Sequence, residues 1–129
     1  MRLLLDTQIL IALIDQRTDR LGKRIVAALA APEATLCVSV ASLWEIGIKT
    51  RLGKLRLNIA IHLLPELIEA MRIDLMPILA PHVLANAEPE PPTRDPFDRL
   101  LLAQCAVEGF RLVTIDGALV IHPLAFTPD

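Results

Sequence analysis

Aromatic side chains are scarce in this chain of 129 residues, which has one Trp, three Phe and no Tyr. Proteins that hold single-stranded nucleic acid by stacking its bases need several exposed rings, so a stacking platform is not expected. The formal net charge of −2, from 13 Lys+Arg and 15 Asp+Glu, also argues at first sight against nucleic-acid binding.

Long hydrophobic runs are absent too, although 53% of the residues are hydrophobic. The longest uncharged stretches, residues 75–87 and 117–128, each contain two Pro and one His, and neither reaches the ~18 apolar residues of a membrane-spanning helix. Asp6 lies where a signal peptide would have its apolar region. We therefore expect a cytoplasmic protein that has no contact with a membrane.

Cysteine is limited to Cys37 and Cys105, whose largely apolar neighbours suit reduced core thiols better than a disulfide. The three His residues are scattered, and no His-x-x-x-His or Cys-x-x-Cys spacing predicts a zinc site. The sequence contains neither a Gly-x-Ser-x-Gly motif nor a phosphate-binding Gly loop. These absences leave carboxylate chemistry as the main candidate.

Short apolar runs alternate with segments of helical periodicity along the whole chain. The spacing predicts strands at residues 2–5, 35–40, 73–78, 111–115 and 124–126, and helices at 8–14, 18–31, 42–52, 59–72, 81–87 and 96–108. This alternation is typical of an α/β protein with a parallel sheet covered on both faces. The length suits one domain, residues 1–129.

Charge is unevenly distributed. Residues 17–56 contain eight bases and three acids, a balance of +5, whereas the rest of the chain has a balance of −7. Any single Lys or Arg also fits an ordinary solvated helix face. The asymmetry nevertheless allows a basic surface beside an acidic pocket.

Four acids adjoin the predicted strands. Asp6 and Asp116 follow the strands at 2–5 and 111–115, and Glu45 lies in the first turn of the helix after the second strand. Asp98 lies in the first turn of the helix that leads into the strand at 111–115. Because ligands of open parallel sheets bind at the carboxyl ends of the strands, these four carboxylates are predicted to converge on one edge.

Each acid also has a structural interpretation. Asp6 can cap a helix, Asp116 suits a turn before Gly117, and Ser42 and Glu45 fit a capping box. Asp95 fits the cap of the helix at 96–108, with Pro96 at its first position and Asp98 in its first turn. Four caps need not meet at one sheet edge, however. Carboxylates that do meet repel one another unless a cation such as Mg²⁺ or Mn²⁺ neutralises them. Such a site suits metal-assisted hydrolysis of a phosphodiester.

Four motifs together resemble the PIN-domain family, and within it the VapC-type toxins of bacterial toxin–antitoxin pairs. They are Leu3-Leu4-Leu5-Asp6-Thr7, Val38-Ser39 with Ser42-Leu43-Trp44-Glu45-Ile46 and Ile48-Lys49, Arg94-Asp95-Pro96-Phe97-Asp98-Arg99-Leu100-Leu101 with Ala103-Gln104, and Leu112-Val113-Thr114-x-Asp116. The resemblance implies a PIN-like three-layer fold, with a mostly parallel five-stranded sheet flanked by helices. It also implies an endoribonuclease that depends on Mg²⁺ or Mn²⁺.

The resemblance further implies roles for individual residues and partners. Asp6 and Asp98 would be the most direct metal ligands, and Glu45 and Asp116 would complete the site, directly or through water. Thr7 and Thr114 would give hydrogen-bonding support. The partners would be an RNA substrate, a cognate antitoxin whose segment lies over the acidic site, and a second copy of the chain in a homodimer.

Three positions depart from the family pattern. Gln8 and Thr93 stand where many relatives have His, and Ile115 replaces a polar or basic residue before the last Asp. None of these departures removes a carboxylate. They bear on contacts with the substrate and on the strength of the activity.

Two other functions are compatible with the same residues. The first is a PIN-like module that binds RNA or a protein without cleavage. The second is phosphoaspartate chemistry, but receiver domains use a late Lys and the last Lys here is Lys54. Haloacid-dehalogenase phosphatases need Asp-x-Asp, which Asp6-Thr7-Gln8 does not provide.

Overall fold

The structure, a computed structural model, describes residues 1–127. Within this range four strands alternate with six α-helices and two short 3-10 helices, Thr18–Arg20 and Ile61–Leu63. In chain order the main elements are β1 (Arg2–Leu5), α1 (Thr7–Ile14), α2 (Lys23–Ala30), β2 (Thr35–Ser39), α3 (Val40–Arg51), α4 (Leu64–Ala70), β3 (Asp74–Met76), α5 (Ala80–Leu84), α6 (Pro96–Glu108) and β4 (Arg111–Val113).

The sheet has the order β3-β2-β1-β4, and all three strand pairs are parallel. Leu5, the last residue of β1, pairs with Val38 of β2 and Val113 of β4. The carboxyl ends of these three strands therefore lie side by side. The predicted α/β class with a parallel sheet flanked by helices is confirmed.

The predicted fifth strand is wrong. Residues 124–126 make only an isolated parallel bridge, between Ala125 and Leu112. In this bridge the Leu112 N–H donates to the carbonyl of Leu124 and the Phe126 N–H donates to the carbonyl of Leu112, both at 2.8 Å. The ladder does not extend backwards, because the Leu124 N–H that would continue it is donated to Nδ1 of His122 at 3.1 Å. The sheet of the described residues therefore has four strands.

Successive residues of β1, β2 and β4 pack into different cores, as expected for a sheet buried on both faces. In β1, Leu3 and Leu5 belong to one hydrophobic cluster and Leu4 belongs to the other. The first cluster includes buried residues of α1 and α4, and the second includes buried residues of α6. The two cores fix the strands from both sides and so hold the sheet edge in a defined position.

Two long predicted helices are shorter than expected. The helix at 18–31 is interrupted at Gly22, whose φ of 81° lies in a region that glycine favours, and α2 begins at Lys23. The helix at 59–72 starts late, because Pro65 lies in the first turn of α4, where its missing N–H is tolerated. The predicted bounds of α6 are confirmed.

The two cysteines are buried free thiols, in agreement with the prediction. Burial raises the pKa of Cys37 to about 11 and that of Cys105 to about 12, so both thiols stay protonated at neutral pH. No helix within residues 1–127 combines the length and the apolar character needed to cross a bilayer.

Candidate active site

Asp6 connects β1 to α1 and is only 4% exposed. Its backbone N–H donates to the carbonyl of Val113 at 2.9 Å, which ties it to the end of β4. Oδ1 accepts the N–H of Thr7 at 2.7 Å, and Oδ2 accepts the hydroxyl of Thr114 at 2.7 Å. Asp6 is therefore the predicted helix cap, and its carboxylate is also held by a residue from the far end of the chain.

Glu45 lies on α3 and is 7% exposed. Oε1 accepts the hydroxyl of Thr7 at 2.7 Å, and Oε2 accepts Nζ of Lys49 at 2.6 Å. Thr7 also lies 2.9 Å from Oγ of Ser42. Because Thr7 has one hydroxyl proton and the bond to a carboxylate is the stronger one, Ser42 acts as the donor in that second contact.

The predicted capping box between Ser42 and Glu45 is wrong. The helix α3 begins at Val40, directly after β2, and its cap is Ser39, which accepts the N–H of Ala41 at 3.0 Å. Ser42 is thus inside the helix and points to Thr7. The earlier start turns the side chain of Glu45 toward the end of β1 instead of its own helix terminus.

Asp98 and Asp116 are less enclosed. Asp98 lies in the first turn of α6 and is partly buried, and its carboxylate makes no hydrogen bond or ion pair with another of residues 1–127. Asp116 is exposed, accepts the N–H of Ala118 at 2.8 Å, and donates its own N–H to Thr114 at 3.0 Å. Asp116 therefore makes the local turn contact predicted for it, close to the residue that holds Asp6.

The four carboxylates influence one another electrostatically. The pKa of Asp98 is raised to about 7, first by burial and then by the charges of Asp95, Asp6, Asp116 and Glu45. Burial also raises the pKa of Asp6, and Glu45 and Asp116 raise it further, against the lowering effect of its hydrogen bonds. The structure thus brings the four predicted acids together at the carboxyl edge of the sheet.

Asp95 is the predicted cap of α6, and its charge also acts on Asp98, which the sequence motif did not reveal. It caps α6, since its Oδ1 accepts the N–H of Phe97 at 2.9 Å, and it is the strongest charge acting on Asp98. Lys49 was also missed as a contact of the site. The signal was present, because Glu45 and Lys49 are four residues apart and face each other on a helix.

The donor set fits a hydrated divalent ion better than an all-protein cage. No group of three or more His, Cys, Asp or Glu within residues 1–127 is arranged to hold a metal ion. Mg²⁺ commonly binds one or two carboxylates and keeps several waters, so it does not require such a group. Asp98, an acid without a hydrogen-bonding partner and with its pKa raised by other acids, lies where a cation is electrostatically favoured.

Two cavities lie away from these acids. One, of about 430 Å³, is lined by residues of α5, α6 and the loop between them, including His82 and Arg99. A second, of about 310 Å³, lies between α3 and the start of α4 and includes Trp44. Neither is lined by any of the four carboxylates.

Packing between α3 and α6 positions two of the acids. Trp44, next to Glu45, meets Phe97, next to Asp98, edge to face, with ring centroids 5.6 Å apart. Such a pair contributes about 0.5–1.5 kcal/mol beyond its burial. The contact packs the Trp-Glu pair of one motif against the Phe-Asp pair of the other.

The three departures from the family pattern lie around this site without altering it. Gln8 and Ile115 are exposed, next to Thr7 and Asp116 respectively. The hydroxyl of Thr93 accepts the N–H of Asp95 at 3.1 Å and so supports the start of α6. All four carboxylates lie at the carboxyl edge of the sheet although these three positions depart from the family pattern.

The family model of the PIN domain matches residues 3–120, a range that includes all four acids. The chain therefore belongs to the PIN domain family. This fold is generally a nuclease fold, and PIN-domain nucleases typically use divalent metals such as Mg²⁺, so a hydrolase that acts on nucleic acid is supported. A search of curated proteins found no match to the chain.

Proposed function

We propose that this PIN domain is a metal-dependent endoribonuclease toxin of the VapC type. The observation that carries the proposal is the carboxylate cluster, in which burial and four neighbouring acids raise the pKa of Asp98 to about 7. Such mutual repulsion is removed by a bound cation. The motifs around Trp44-Glu45-Ile46 and Asp95-Pro96-Phe97-Asp98 support the VapC subtype.

Asp6 and Asp98 would hold Mg²⁺ or Mn²⁺, and Glu45 and Asp116 would complete the site directly or through water. A bound divalent ion of this kind lowers the pKa of a water molecule and stabilises charge on the scissile phosphate. The hydrogen bonds to Asp6 and Glu45 keep both carboxylates in one orientation before substrate arrives. Asp116 is exposed and is therefore free to orient an attacking water.

Two protein partners belong to the proposal: a cognate antitoxin and a second copy of the chain. Large apolar side chains are exposed around α5, with Leu79 49%, Val83 59% and Leu84 81% exposed. Contiguous exposed apolar side chains commonly mark interaction surfaces. The α5 surface would form the homodimer contact, and an antitoxin segment would lie over the acidic edge.

Cleavage of RNA by the purified chain tests the enzymatic part. We expect cleavage with Mg²⁺ or Mn²⁺, none in EDTA, and a fall to background in Asp98→Asn. Asp74→Asn is the matched control, because Asp74 is an exposed acid at the start of β3, at the opposite end of that strand from the site. Cleavage that persists in both EDTA and Asp98→Asn would refute the proposal.

A binding module without cleavage is the second candidate. The retention of all four carboxylates, Asp6, Glu45, Asp98 and Asp116, argues against it. Tight RNA binding by the unsubstituted chain, combined with no cleavage at any concentration of Mg²⁺ or Mn²⁺, would favour this function over the first.

A further inference from the structure

Three exposed cations follow Glu45 in the sequence. They are Arg51, Lys54 and Arg56, here called the basic strip. No acid occurs between Glu45 and Glu66, so no neighbour in sequence compensates them. None of the three makes an ion pair within residues 1–127, whereas the exposed Arg17 pairs with Asp19. The strip is therefore an uncompensated positive surface.

The orientation of the strip is fixed by backbone and packing. Gly53, with a φ of 73°, ends α3 and lets the N–H of Lys54 donate to the carbonyl of Lys49 at 2.9 Å. The chain then runs without helix or strand as far as residue 60, with exposed residues alternating with half-buried ones.

In this alternation, Leu55, Leu57 and Ile59 pack on the hydrophobic core, and Lys54 and Arg56 face solvent. Two residues apart in an extended chain, these cations lie ~6–7 Å from each other along the backbone. The apolar anchors hold them on one outward face, so the strip is a defined surface of the molecule.

The strip is connected to the carboxylates through α3. Arg51 follows Glu45 by six residues on this helix, which corresponds to ~9 Å along the axis. Between them, Nζ of Lys49 lies 2.6 Å from Glu45. Arg51 lies on a different face of the helix from Glu45, with its guanidinium beside Gly47, so positive charge lies on α3 next to the acidic site and again at the end of the helix.

We propose that Arg51, Lys54 and Arg56 bind backbone phosphates of a single-stranded RNA whose scissile bond lies at the carboxylates. The proposal rests on the proposed ribonuclease function. Lys and Arg that contact phosphates position a strand without reading its sequence. With few aromatic side chains for base stacking, such contacts supply the main affinity for the strand.

Salt dependence of RNA binding tests the strip separately from catalysis. Fluorescence anisotropy would follow a labelled single-stranded RNA oligonucleotide across a series of KCl concentrations, in EDTA so that metal-dependent cleavage is absent. The variant carries Arg51→Gln, Lys54→Gln and Arg56→Gln. We expect the slope of log Kobs against log salt to become shallower by about 2, since each phosphate contact on a single strand contributes ~0.7.

The matched control carries Arg20→Gln, Lys23→Gln and Arg72→Gln, which remove the same charge from exposed positions outside the strip. This control should keep the slope of the unsubstituted chain. An unchanged slope in the strip variant, an equal loss in both variants, or no salt-dependent binding by the unsubstituted chain would each overturn the proposal.

Cleavage kinetics distinguish failure of the strip from failure of the proposed activity. The strip variant should raise KM for RNA and keep kcat within about twofold, because it lacks only binding contacts made away from the reacting bond. A fall in kcat with unchanged KM would refute the proposal that the basic strip binds phosphates of the substrate. If the chain binds RNA through the basic strip but does not cleave it, the proposed ribonuclease activity is refuted and phosphate binding by the strip is still supported.

Discussion

Thr114 joins two of the candidate metal ligands through a single oxygen atom. Its hydroxyl donates to Oδ2 of Asp6 and accepts the N–H of Asp116. Asp6 leaves β1 and Asp116 follows β4, so this side chain sets the relative position of acids from two neighbouring strands. Threonine suits this position because its β-branched side chain is favourable at the end of a strand and its hydroxyl supplies the proton for the bond to Asp6.

Thr114→Val keeps the shape of the side chain and removes both hydrogen bonds. We expect the free energy of unfolding to fall by about 1–3 kcal/mol, because a buried carboxylate oxygen loses its donor. We also expect slower RNA cleavage. Thr114→Ser, which retains the hydroxyl, is the control for urea unfolding and for cleavage. Equal behaviour of the Val and Ser variants would show that the hydroxyl is not needed.

The raised pKa of Asp98 predicts a pH dependence of stability in the absence of metal. The folded chain keeps this proton up to about pH 7, whereas the unfolded carboxyl loses it near 3.8. Between these values the folded state binds more protons, so the free energy of unfolding falls as pH rises. The raised pKa of Asp6 acts in the same direction.

Urea unfolding in EDTA across this pH range measures the effect. Asp98→Asn cannot ionise and should show a smaller loss of stability between about pH 4 and 7 than the unsubstituted chain. Identical pH profiles for the two proteins would contradict the assignment of this proton to Asp98.

The convergence of the four acids could be predicted from single residues, because each adjoins the end or the start of an apolar run. The contacts of Ser42 and Lys49 could not be assigned in the same way. Their roles depend on where α3 begins, and a sequence containing both Ser39 and Ser42 offers two equivalent caps. Direct continuation of β2 into the helix selects Ser39.

At the scale of elements, Asp95 caps α6 and so affects both the stability of this helix and the pKa of its neighbour Asp98. Asp95→Ala removes the cap and should lower the free energy of unfolding by about 0.5–2 kcal/mol. Asp95→Asn keeps an acceptor for the N–H of Phe97 and should cost much less. Both substitutions should lower the pKa of Asp98, since each removes the strongest charge acting on it.

Urea unfolding compares the stabilities, and an NMR titration of the Asp98 carboxyl follows its pKa. Equal stability of the Ala and Asn variants would show that the Asp95 side chain does not stabilise α6 as its cap. The electrostatic contact is disproved if the pKa of Asp98 stays the same in both.

Element bounds could be predicted where the chain marks both ends. The helix α6 has Asp95 and Pro96 at its start and Gly109, with a φ of 75°, after its end. The segments at 18–31 and 59–72 carry Gly22 and Pro65 inside an otherwise helical pattern. Their hydrophobic residues do recur with helical spacing, but the backbone preferences of the Gly and the Pro shorten both helices. The fifth strand was wrong for a related local reason, because the Leu124 N–H is donated to His122 instead of to β4.

At the scale of the molecule, the homodimer proposal predicts a mass in solution of twice the 14.2 kDa of the chain. Leu84→Asp places a charge in the proposed α5 contact and should give a monomer in light scattering. Leu52→Asp is the matched control, because Leu52 is also strongly exposed but lies at the end of α3. A monomeric mass for the unsubstituted chain at micromolar concentration would refute the dimer.

The hydrogen bond between Thr114 and Asp6 spans 108 positions of the chain. During synthesis, Asp6 leaves the ribosome long before Thr114 exists, and β4 cannot pair with β1 until residues 111–113 have emerged. The acidic cluster is therefore among the last parts of the molecule to be assembled. A chain that is still being translated holds the separate acids without the site, so a catalytic activity based on them would begin only after the ribosome has passed residue 116.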